Sequence, residues 1–290
     1  MRAKYLPRRS WREPSIAVSG SFLVSRLLSA LLLAIPILGT LFIVWAIMGW
    51  WPLQGHWLPE NINKYGGIID QIFYVILWLT GIIFVATSLV LAWVTWEGAT
   101  RSSGRAPAVH GSHRLELIWS VIPGVILVFL SIYQINAWEI NKMQEPMIED
   151  ADGHAVPVAP SVRVIARQFD WDFWYPGPDG EFGTVDDIMV TDELHVLLDQ
   201  PVVLEIEAQD VLHSFFVPSL RLKQDVVPGM MQRVWFHPEK EGRFEIACTE
   251  LCGWGHYKMK AWLHVDDPED YDQWHRDLTA EAVPWAVEAP

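Results

Sequence analysis

Cys248-Thr-Glu-Leu-Cys252-Gly-Trp-Gly-His256-Tyr-Lys-Met259 is the stretch around which this chain of 290 residues is organised. Its two thiols, one imidazole and one thioether are soft to borderline ligands, a set that favours copper over magnesium or calcium. Gly253 and Gly255 permit the tight backbone turns that bring these side chains to one point. The stretch therefore predicts a loop built around a metal ion.

A disulfide is the simpler interpretation of the same stretch. Cys248 and Cys252 are the only cysteines in the chain, and two cysteines in an exported domain commonly bond to each other. However, His256 and Met259 follow at once, and His213 lies in a second apolar stretch, Val-Leu-His213-Ser-Phe-Phe-Val-Pro, which we interpret as another loop. Soft ligands from two loops favour a metal over a disulfide.

These stretches also resemble a known family. His213-Ser-Phe-Phe-Val-Pro-Ser-Leu-Arg-Leu-Lys-Gln-Asp-Val-Val-Pro-Gly-Met, followed by the cysteine loop, resembles subunit II of the cytochrome c oxidases, and the resemblance covers about residues 68–265. It implies a dinuclear copper centre, CuA, in which two thiolates bridge two coppers and each copper has one histidine. The ligands that it implies are His213, Cys248, the carbonyl of Glu250, Cys252, His256 and Met259.

The resemblance implies two further roles near this centre. The carboxylate of Glu250 would help to bind a magnesium ion shared with the catalytic subunit, since a hard oxygen ligand suits that ion; a merely solvated carboxylate is the alternative. The segment from Gln168 to Pro176 resembles the family's aromatic segment, where a tryptophan near the start takes the electron from cytochrome c. Phe169 occupies that position here, so Trp171 and Trp174 are also candidates, and an amphipathic strand that packs its rings on the membrane subunit is the alternative.

Charge is distributed unevenly along the chain, whose formal net charge is −14. Residues 139–290 hold 11 Lys and Arg against 30 Asp and Glu, a net −19, whereas residues 1–138 hold 10 against 5, a net +5. This split indicates one part at a membrane and another in water. An acidic domain attracts basic partners such as cytochromes c, and we expect no nucleic-acid partner.

Three apolar runs are long enough to cross a bilayer, which takes about 20 helical residues. They cover about 21–50, 68–96 and 117–137, so residues 1–138 are predicted to be a membrane anchor. The first run is alternatively a signal sequence, but it is much longer than the ~7–15 residues of a typical signal core, so we favour a retained helix. The family usually has two such helices.

Basic residues predict the orientation of the anchor. They are frequent in the N-terminal segment and between the second and third helices, and Lys64 is the only one between the first and second. By the positive-inside rule, the large C-terminal domain is then outside the cytoplasm. We therefore expect a multi-pass protein of the bacterial inner membrane with a periplasmic C-terminal domain.

Glu116 opens the third apolar run, in His113-Arg-Leu-Glu116-Leu-Ile-Trp119. A carboxylate in the first turn of a helix is stabilised by the helix dipole by about 0.3–1 kcal/mol and needs no other role. The run also resembles the family's motif at the mouth of the proton path into the catalytic subunit. The resemblance implies that Glu116 passes protons inward.

After Trp138 the sequence changes to short alternating segments separated by Pro, Gly and acidic turns, which predict strands. Residues 139–290 therefore read as an antiparallel sandwich or barrel, and the resemblance implies a cupredoxin-like Greek-key barrel. A short helix is predicted at 267–278. The predicted strands are 161–167, 192–198, 202–208, 232–236, 243–248 and 260–265.

The function predicted from the sequence is electron entry into a respiratory cytochrome c oxidase. The chain would accept electrons from a cytochrome c at CuA and pass them to haem in catalytic subunit I, where oxygen is reduced and protons are pumped. Other oxidase subunits and the lipid bilayer are further expected partners. A CuA-type nitric oxide reductase and a disulfide-stapled structural module are the alternatives, whereas the subunit II of quinol oxidases lacks the copper ligands.

Overall fold

Three long apolar helices form the N-terminal part of the chain. The computed structural model describes residues 18–54, 57–100 and 111–282. Helix α1 spans Val18–Ile47, α2 spans Gly66–Thr100 and α3 spans His113–Tyr133. Within the described residues, these three helices are long and apolar enough to cross a membrane. They confirm the helices predicted at about 21–50, 68–96 and 117–137.

Apolar side chains cover the outside of these helices. Trp78 of α2 is 67% exposed and Trp119 of α3 is 69% exposed, and α3 has no buried residue. Such surfaces need lipid or another apolar partner. Most basic residues used above to predict orientation lie outside the described part of the chain, namely Arg2, Lys4, Arg8, Arg9, Arg12, Arg101 and Arg105.

Two five-stranded sheets follow the helices, after a short helix α4 (Ile135–Trp138) and a π-helical turn (Glu139–Met143). The strands are β1 Met147–Glu149, β2 Ala155–Pro157, β3 Val162–Arg167, β4 Asp170–Tyr175, β5 Ile188–Thr191, β6 Glu193–Leu197, β7 Val202–Ala208, β8 His213–Val217, β9 Leu222–Val226, β10 Gln232–Phe236, β11 Gly242–Cys248 and β12 Lys260–Asp266. One sheet has the strand order β10-β7-β3-β4-β5 and the other has the order β6-β12-β11-β8-β9, while β1 and β2 form a separate hairpin.

The two sheets enclose one apolar core, which includes Val164 of β3, Phe215 of β8 and Leu263 of β12. Most strand pairs are antiparallel, but β3 pairs with β7 and β12 pairs with β6 in parallel. Both sheets join strands that are distant in sequence, as Greek-key connections do, and the domain has the predicted cupredoxin-like fold. This barrel places β8 beside β11, the two strands that begin and end at candidate ligands.

The six predicted strands are all present, each within one residue of its predicted ends. The expectation of a loop around His213 was wrong, because His213 begins β8. Four of the five residues of β8 are buried, so the strand lacks the alternation of apolar and polar residues that identifies a half-exposed strand. The aromatic segment, for which an amphipathic strand was only the alternative interpretation, forms β4, which has three consecutive buried residues.

Helix α5 spans Pro268–Ala282 and extends beyond the predicted 267–278. Asp267 caps its first turn, since its Oδ1 accepts hydrogen bonds from the backbone N–H groups of Glu269 and Asp270, both at 2.9 Å. The indole of Trp274 stacks on the ring of His195 at 4.1 Å between centroids. This contact fixes the C-terminal helix against β6.

The segment that precedes α2 packs into the barrel. Ile62 is only 2% exposed and belongs to the barrel core. The buried Asn63 donates to the carbonyl of Leu220 at 3.0 Å and accepts from the N–H of His237 at 3.2 Å. Leaving either backbone group unsatisfied would cost about 1–3 kcal/mol. We call this segment, Leu58–Tyr65, the clamp.

An ion pair extends the clamp onto α2. Arg221 donates from Nε to Asp70 at 2.6 Å and from Nη2 to Asp70 at 3.1 Å, and also binds the carbonyl of Pro59 at 2.8 Å. By its contacts, the segment Leu58–Tyr74 forms one compact unit with residues 114–290, separate from a unit of residues 1–57 and 75–113. The predicted division at residue 138 therefore stays a prediction, and the barrel includes chain from before α2.

Candidate metal centre

Two free thiols lie at the end of β11. Cys248 and Cys252 are buried and unbonded, and their Sγ atoms are 3.9 Å apart. A disulfide would bring the sulfurs to about 2.05 Å. The structure therefore contradicts a disulfide-stapled module and leaves both sulfurs free as ligands.

Each sulfur has its own pair of further candidate ligands. Cys248 Sγ lies 3.9 Å from His213 Nδ1 and 3.3 Å from the carbonyl oxygen of Glu250. Cys252 Sγ lies 3.7 Å from His256 Nδ1 and 3.7 Å from Met259 Sδ. All six candidate ligands predicted from the sequence thus come together, in two sets of three around the pair of sulfurs.

The spacing within this group suits metal ions that share the two sulfurs. Nitrogen and sulfur ligands bind first-row ions of zinc's size at about 2.0 and 2.3 Å, so neighbouring ligands of one ion at open angles lie a little under 4 Å apart. The observed distances of 3.7–3.9 Å match this expectation. The donor types, with no hard carboxylate among them, are those that copper accepts.

Strand pairing fixes the positions of these ligands. Cys248, the last residue of β11, pairs in register with Phe215 of β8, two residues after His213. The N–H of Cys248 donates to the carbonyl of Met259 at 3.1 Å, which closes the loop. Ligands anchored in this way on two strands of one sheet keep their geometry when the charge of the site changes.

Asp210 and Gln168 support the ligands, and neither was assigned this role from the sequence. Asp210 Oδ1 lies 2.9 Å from His213 Nε2, the nitrogen opposite the one that faces Cys248. Its other oxygen accepts from the backbone N–H of Gln168 at 2.7 Å, and the Gln168 amide donates to the carbonyl of Cys252. A carboxylate on the outer nitrogen orients a metal-binding imidazole. In the sequence, the indication of this contact was that Asp210 precedes His213 by three residues.

The protonation of the site reflects its burial. Burial raises the pKa of Cys248, but hydrogen bonds from His213 and the Ser214 backbone outweigh it and lower the pKa below that of an ordinary thiol. Burial and then the negative charge of Cys248 raise the pKa of Cys252. Burial lowers the pKa of His213, whereas hydrogen bonds to Cys248 and Asp210 raise it on balance. Deprotonation of Cys252 therefore requires additional positive charge nearby, which a bound metal supplies.

The three aromatic candidates for electron entry occupy different environments. Trp171 has 0% exposure and its ring lies 6.1 Å from that of His213. Phe169 is partly buried against the core, and its ring lies 5.1 Å from that of Trp254. Trp174 is partly exposed on β4 and lines an open cavity with Arg163. A buried Trp171 cannot touch a docked protein.

The two carboxylates implied by the resemblance lie in separate parts of the fold. Glu250 is partly exposed in the ligand loop, and its carbonyl belongs to the group around Cys248. Glu116 lies in the first turn of α3 with an exposed side chain. Among the described residues, Glu116 does not belong to the buried cluster of His213, Cys248 and Cys252.

Comparisons with known proteins indicate one family. Residues 168–265 match the family model "Cytochrome C oxidase subunit II, periplasmic domain", and residues 60–136 match "Cytochrome C oxidase subunit II, transmembrane domain". The probable cytochrome c oxidase subunit 2 of Rickettsia bellii is 32% identical over 75% of this chain and 79% of that protein. The alternative cytochrome c oxidase subunit 2 of Bradyrhizobium diazoefficiens is 29% identical over 84% of this chain and 89% of that protein.

One solved structure is also similar to this chain. The crystal structure of the periplasmic domain of subunit II of cytochrome oxidase from Bradyrhizobium japonicum is 22% identical, with a TM-score of 0.39. The alignment covers 44% of this chain and 99% of that chain.

Proposed function

Because this chain belongs to the cytochrome c oxidase subunit II family, we propose that it holds CuA and conducts electrons from a cytochrome c to haem in the catalytic subunit. The chain is a membrane protein with a periplasmic domain, and the enzymatic activity of its family belongs to the oxidase complex. One observation carries the proposal for CuA: four further candidate ligand atoms lie around two free sulfurs, with distances of 3.3–3.9 Å within the group.

Each ligand has a definite task in this proposal. The thiolates of Cys248 and Cys252, together with His213, His256, Met259 and the Glu250 carbonyl, would hold the copper pair. The bound pair supplies reversible one-electron transfer without any change of covalent bonds. Asp210 holds the His213 ring so that Nδ1 faces the site.

The surroundings of the site suit electron transfer. His213 has 0% exposure, Met259 has 1%, and the rings of Trp171 and Phe215 pack together at 5.3 Å beside them. These side chains exclude water, whose reorientation would otherwise accompany each change of charge. Strand-anchored ligands in a dry site therefore lower the reorganisation that electron transfer requires, and the outer shell sets the potential.

The proposal extends to topology and partners. The three apolar helices would make the chain a multi-pass protein of the bacterial inner membrane, with the barrel in the periplasm. Catalytic subunit I and other oxidase subunits would contact the exposed apolar helices together with lipid, and oxygen reduction and proton pumping would occur in that complex. A basic cytochrome c would be attracted to residues 139–290, whose net charge is −19.

Electron paramagnetic resonance with copper quantitation on the full-length chain in detergent tests this function. After copper loading under reducing conditions and reoxidation, we expect two coppers per chain that share one unpaired electron. Because the signal depends on two bridging thiolates, a chain with one isolated copper, or with no copper and intact thiols, would contradict the proposal.

The two carboxylates outside the copper shell are proposed to act in the complex, Glu116 at the proton entrance and Glu250 on a magnesium shared with the catalytic subunit. In a purified complex, Glu116→Gln should slow turnover and proton uptake while electron entry into copper stays normal. Unchanged proton uptake in this variant would refute the role of Glu116.

Glu250→Gln should abolish the signal of Mn²⁺ substituted for magnesium and retain two coppers, because only its carbonyl binds copper. An unchanged Mn²⁺ signal in this variant would refute the role of the Glu250 carboxylate.

A further inference from the structure

Trp254 is an exposed indole in the loop that carries Glu250, Cys252, His256 and Met259. It follows Cys252 by two residues and precedes His256 by two, and it is 78% exposed. Tryptophan is a large, mainly apolar side chain that is usually well covered in a folded protein, and it is enriched among residues that dominate protein interfaces. Its exposure at the metal loop therefore indicates a contact surface.

Phe169 and the flanking glycines fix the position of this indole. The two rings meet edge to face, with centroids 5.1 Å apart and planes at 69°. A Cβ atom at Gly255 would lie 2.6 Å from two atoms of the Phe169 ring, and one at Gly253 would lie 3.1 Å from it. Glycine at both positions allows the Phe169 ring to lie directly against the loop backbone, where its ring contacts that of Trp254.

The other aromatic candidates cannot serve as the surface contact in the same way. Trp171 is fully buried, and Phe169 is partly covered and lies against Trp254. Trp174 lies five residues beyond Phe169, about 16 Å along the chain at the rise of a strand. Compared with these three candidates, Trp254 combines high exposure with a short covalent connection to two candidate ligands, through Gly253 to Cys252 and through Gly255 to His256.

Two carboxylates lie next to the residues that contact this loop. Asp170 follows Phe169 directly, is 42% exposed and pairs with Arg167 at 3.0 Å, while Asp210, 32% exposed, contacts His213 and accepts from the N–H of Gln168. One cation is also close, since Lys258 Nζ lies 5.3 Å from the Trp254 ring centroid and can hold the indole by a cation–π contact. An exposed apolar ring on a domain whose net charge over residues 139–290 is −19 fits a basic protein.

We propose that Trp254 is the residue on which a basic c-type cytochrome docks and through which its electron enters, an inference that rests on the CuA function proposed above. One electron leaves the reduced haem iron of the donor and reduces the oxidised copper pair, and no bond forms or breaks. In this proposal Trp254 accepts the electron from cytochrome c. The resemblance described above assigns that role to an aromatic residue at the position of Phe169. The competing occupant of this ring is the catalytic subunit of the oxidase.

The test compares Trp254→Ala, Trp254→Phe and Tyr257→Ala in the purified oxidase complex. Tyr257 is a matched control because it is in the same loop and 76% exposed. The probe is a soluble basic cytochrome c, with its second-order rate of electron transfer to copper measured by flash photolysis and its binding to the metal-free chain measured by calorimetry. We expect Trp254→Ala to weaken binding and slow transfer by about tenfold or more, the scale of a central interface residue. Trp254→Phe should recover most of this loss, and Tyr257→Ala should stay within about twofold.

Copper content and the paramagnetic signal of each variant separate the possible failures. Normal binding and transfer in Trp254→Ala, with copper intact, would overturn the assignment of Trp254 and leave the CuA function standing. Loss of copper in this variant would show that Trp254 has a structural role. Loss of the catalytic subunit during purification would show that Trp254 contacts that subunit instead. Either result would overturn the proposal. Absence of a dinuclear signal in the wild-type chain would refute the CuA function itself.

Discussion

Cys252→Ser is expected to abolish the dinuclear copper signal and to reduce the copper content from two per chain to one or none. The sulfur of Cys252 lies within 3.7–3.9 Å of Cys248 Sγ, His256 Nδ1 and Met259 Sδ, so its removal takes away one of the two sulfurs around which the candidate ligands are grouped. A serine hydroxyl is a hard, neutral ligand that cannot replace a bridging thiolate on copper. The measurement is copper analysis with electron paramagnetic resonance on the full-length variant in detergent.

Thr249→Ala is the matched control for this substitution. Thr249 is exposed in the same loop, and its backbone N–H, rather than its side chain, donates to the carbonyl of Ser214 at 3.1 Å. This variant should keep two coppers and the wild-type signal. A shared-electron signal that survives in Cys252→Ser would show that the sulfur of Cys252 is not a bridge.

Asp210→Ala should weaken copper binding by about 10–100-fold, the range observed when a carboxylate behind a ligating imidazole is removed. Asp210 accepts from His213 Nε2 at 2.9 Å and thereby keeps the proton on that nitrogen, so that Nδ1 is free to bind metal. Without it, the buried His213 ring loses its orientation and the N–H of Gln168 loses its acceptor. Titration of the copper-loaded chain with a competing chelator measures the change.

Asp225→Ala removes the same charge from the neighbourhood without touching the imidazole. Asp225 accepts from the hydroxyl of Ser214, the residue after His213, at 2.8 Å. If Asp210 acts only through its charge, the two variants will lose copper affinity equally. If it acts by holding His213, as we expect, Asp225→Ala will keep nearly wild-type affinity.

The ligand loop was predictable because its information is local. Cys248, Cys252, His256 and Met259 lie within twelve residues, and soft ligands at such density strongly indicate a metal site. Strands with alternating burial, such as β3, were predictable for the same reason. His213 was identified as a ligand by resemblance, but its strand was not, because β8 is buried on both faces.

Tertiary contacts carried the information that the sequence could not provide. The support of His213 by Asp210 and the contact of Phe169 with Trp254 become visible only when the loops are assembled. Asn63 and Leu220 are separated by 157 residues, and no pattern within either segment indicates their hydrogen bond. Neither residue type is unusual in its local context.

The clamp has a consequence for the order in which the barrel is made during synthesis. Its residues leave the ribosome before α2 and α3, whereas their partners Leu220 and His237 are among the later residues of the domain. Contacts across 157 residues require closure of a long chain segment, which tends to make folding slow. The partners lie between His213 and Cys248 in sequence, so the early segment and both ligand strands become fixed in the same late step. A nascent chain is therefore expected to acquire tight copper affinity only near the end of translation, after the clamp has formed its hydrogen bonds with Leu220 and His237.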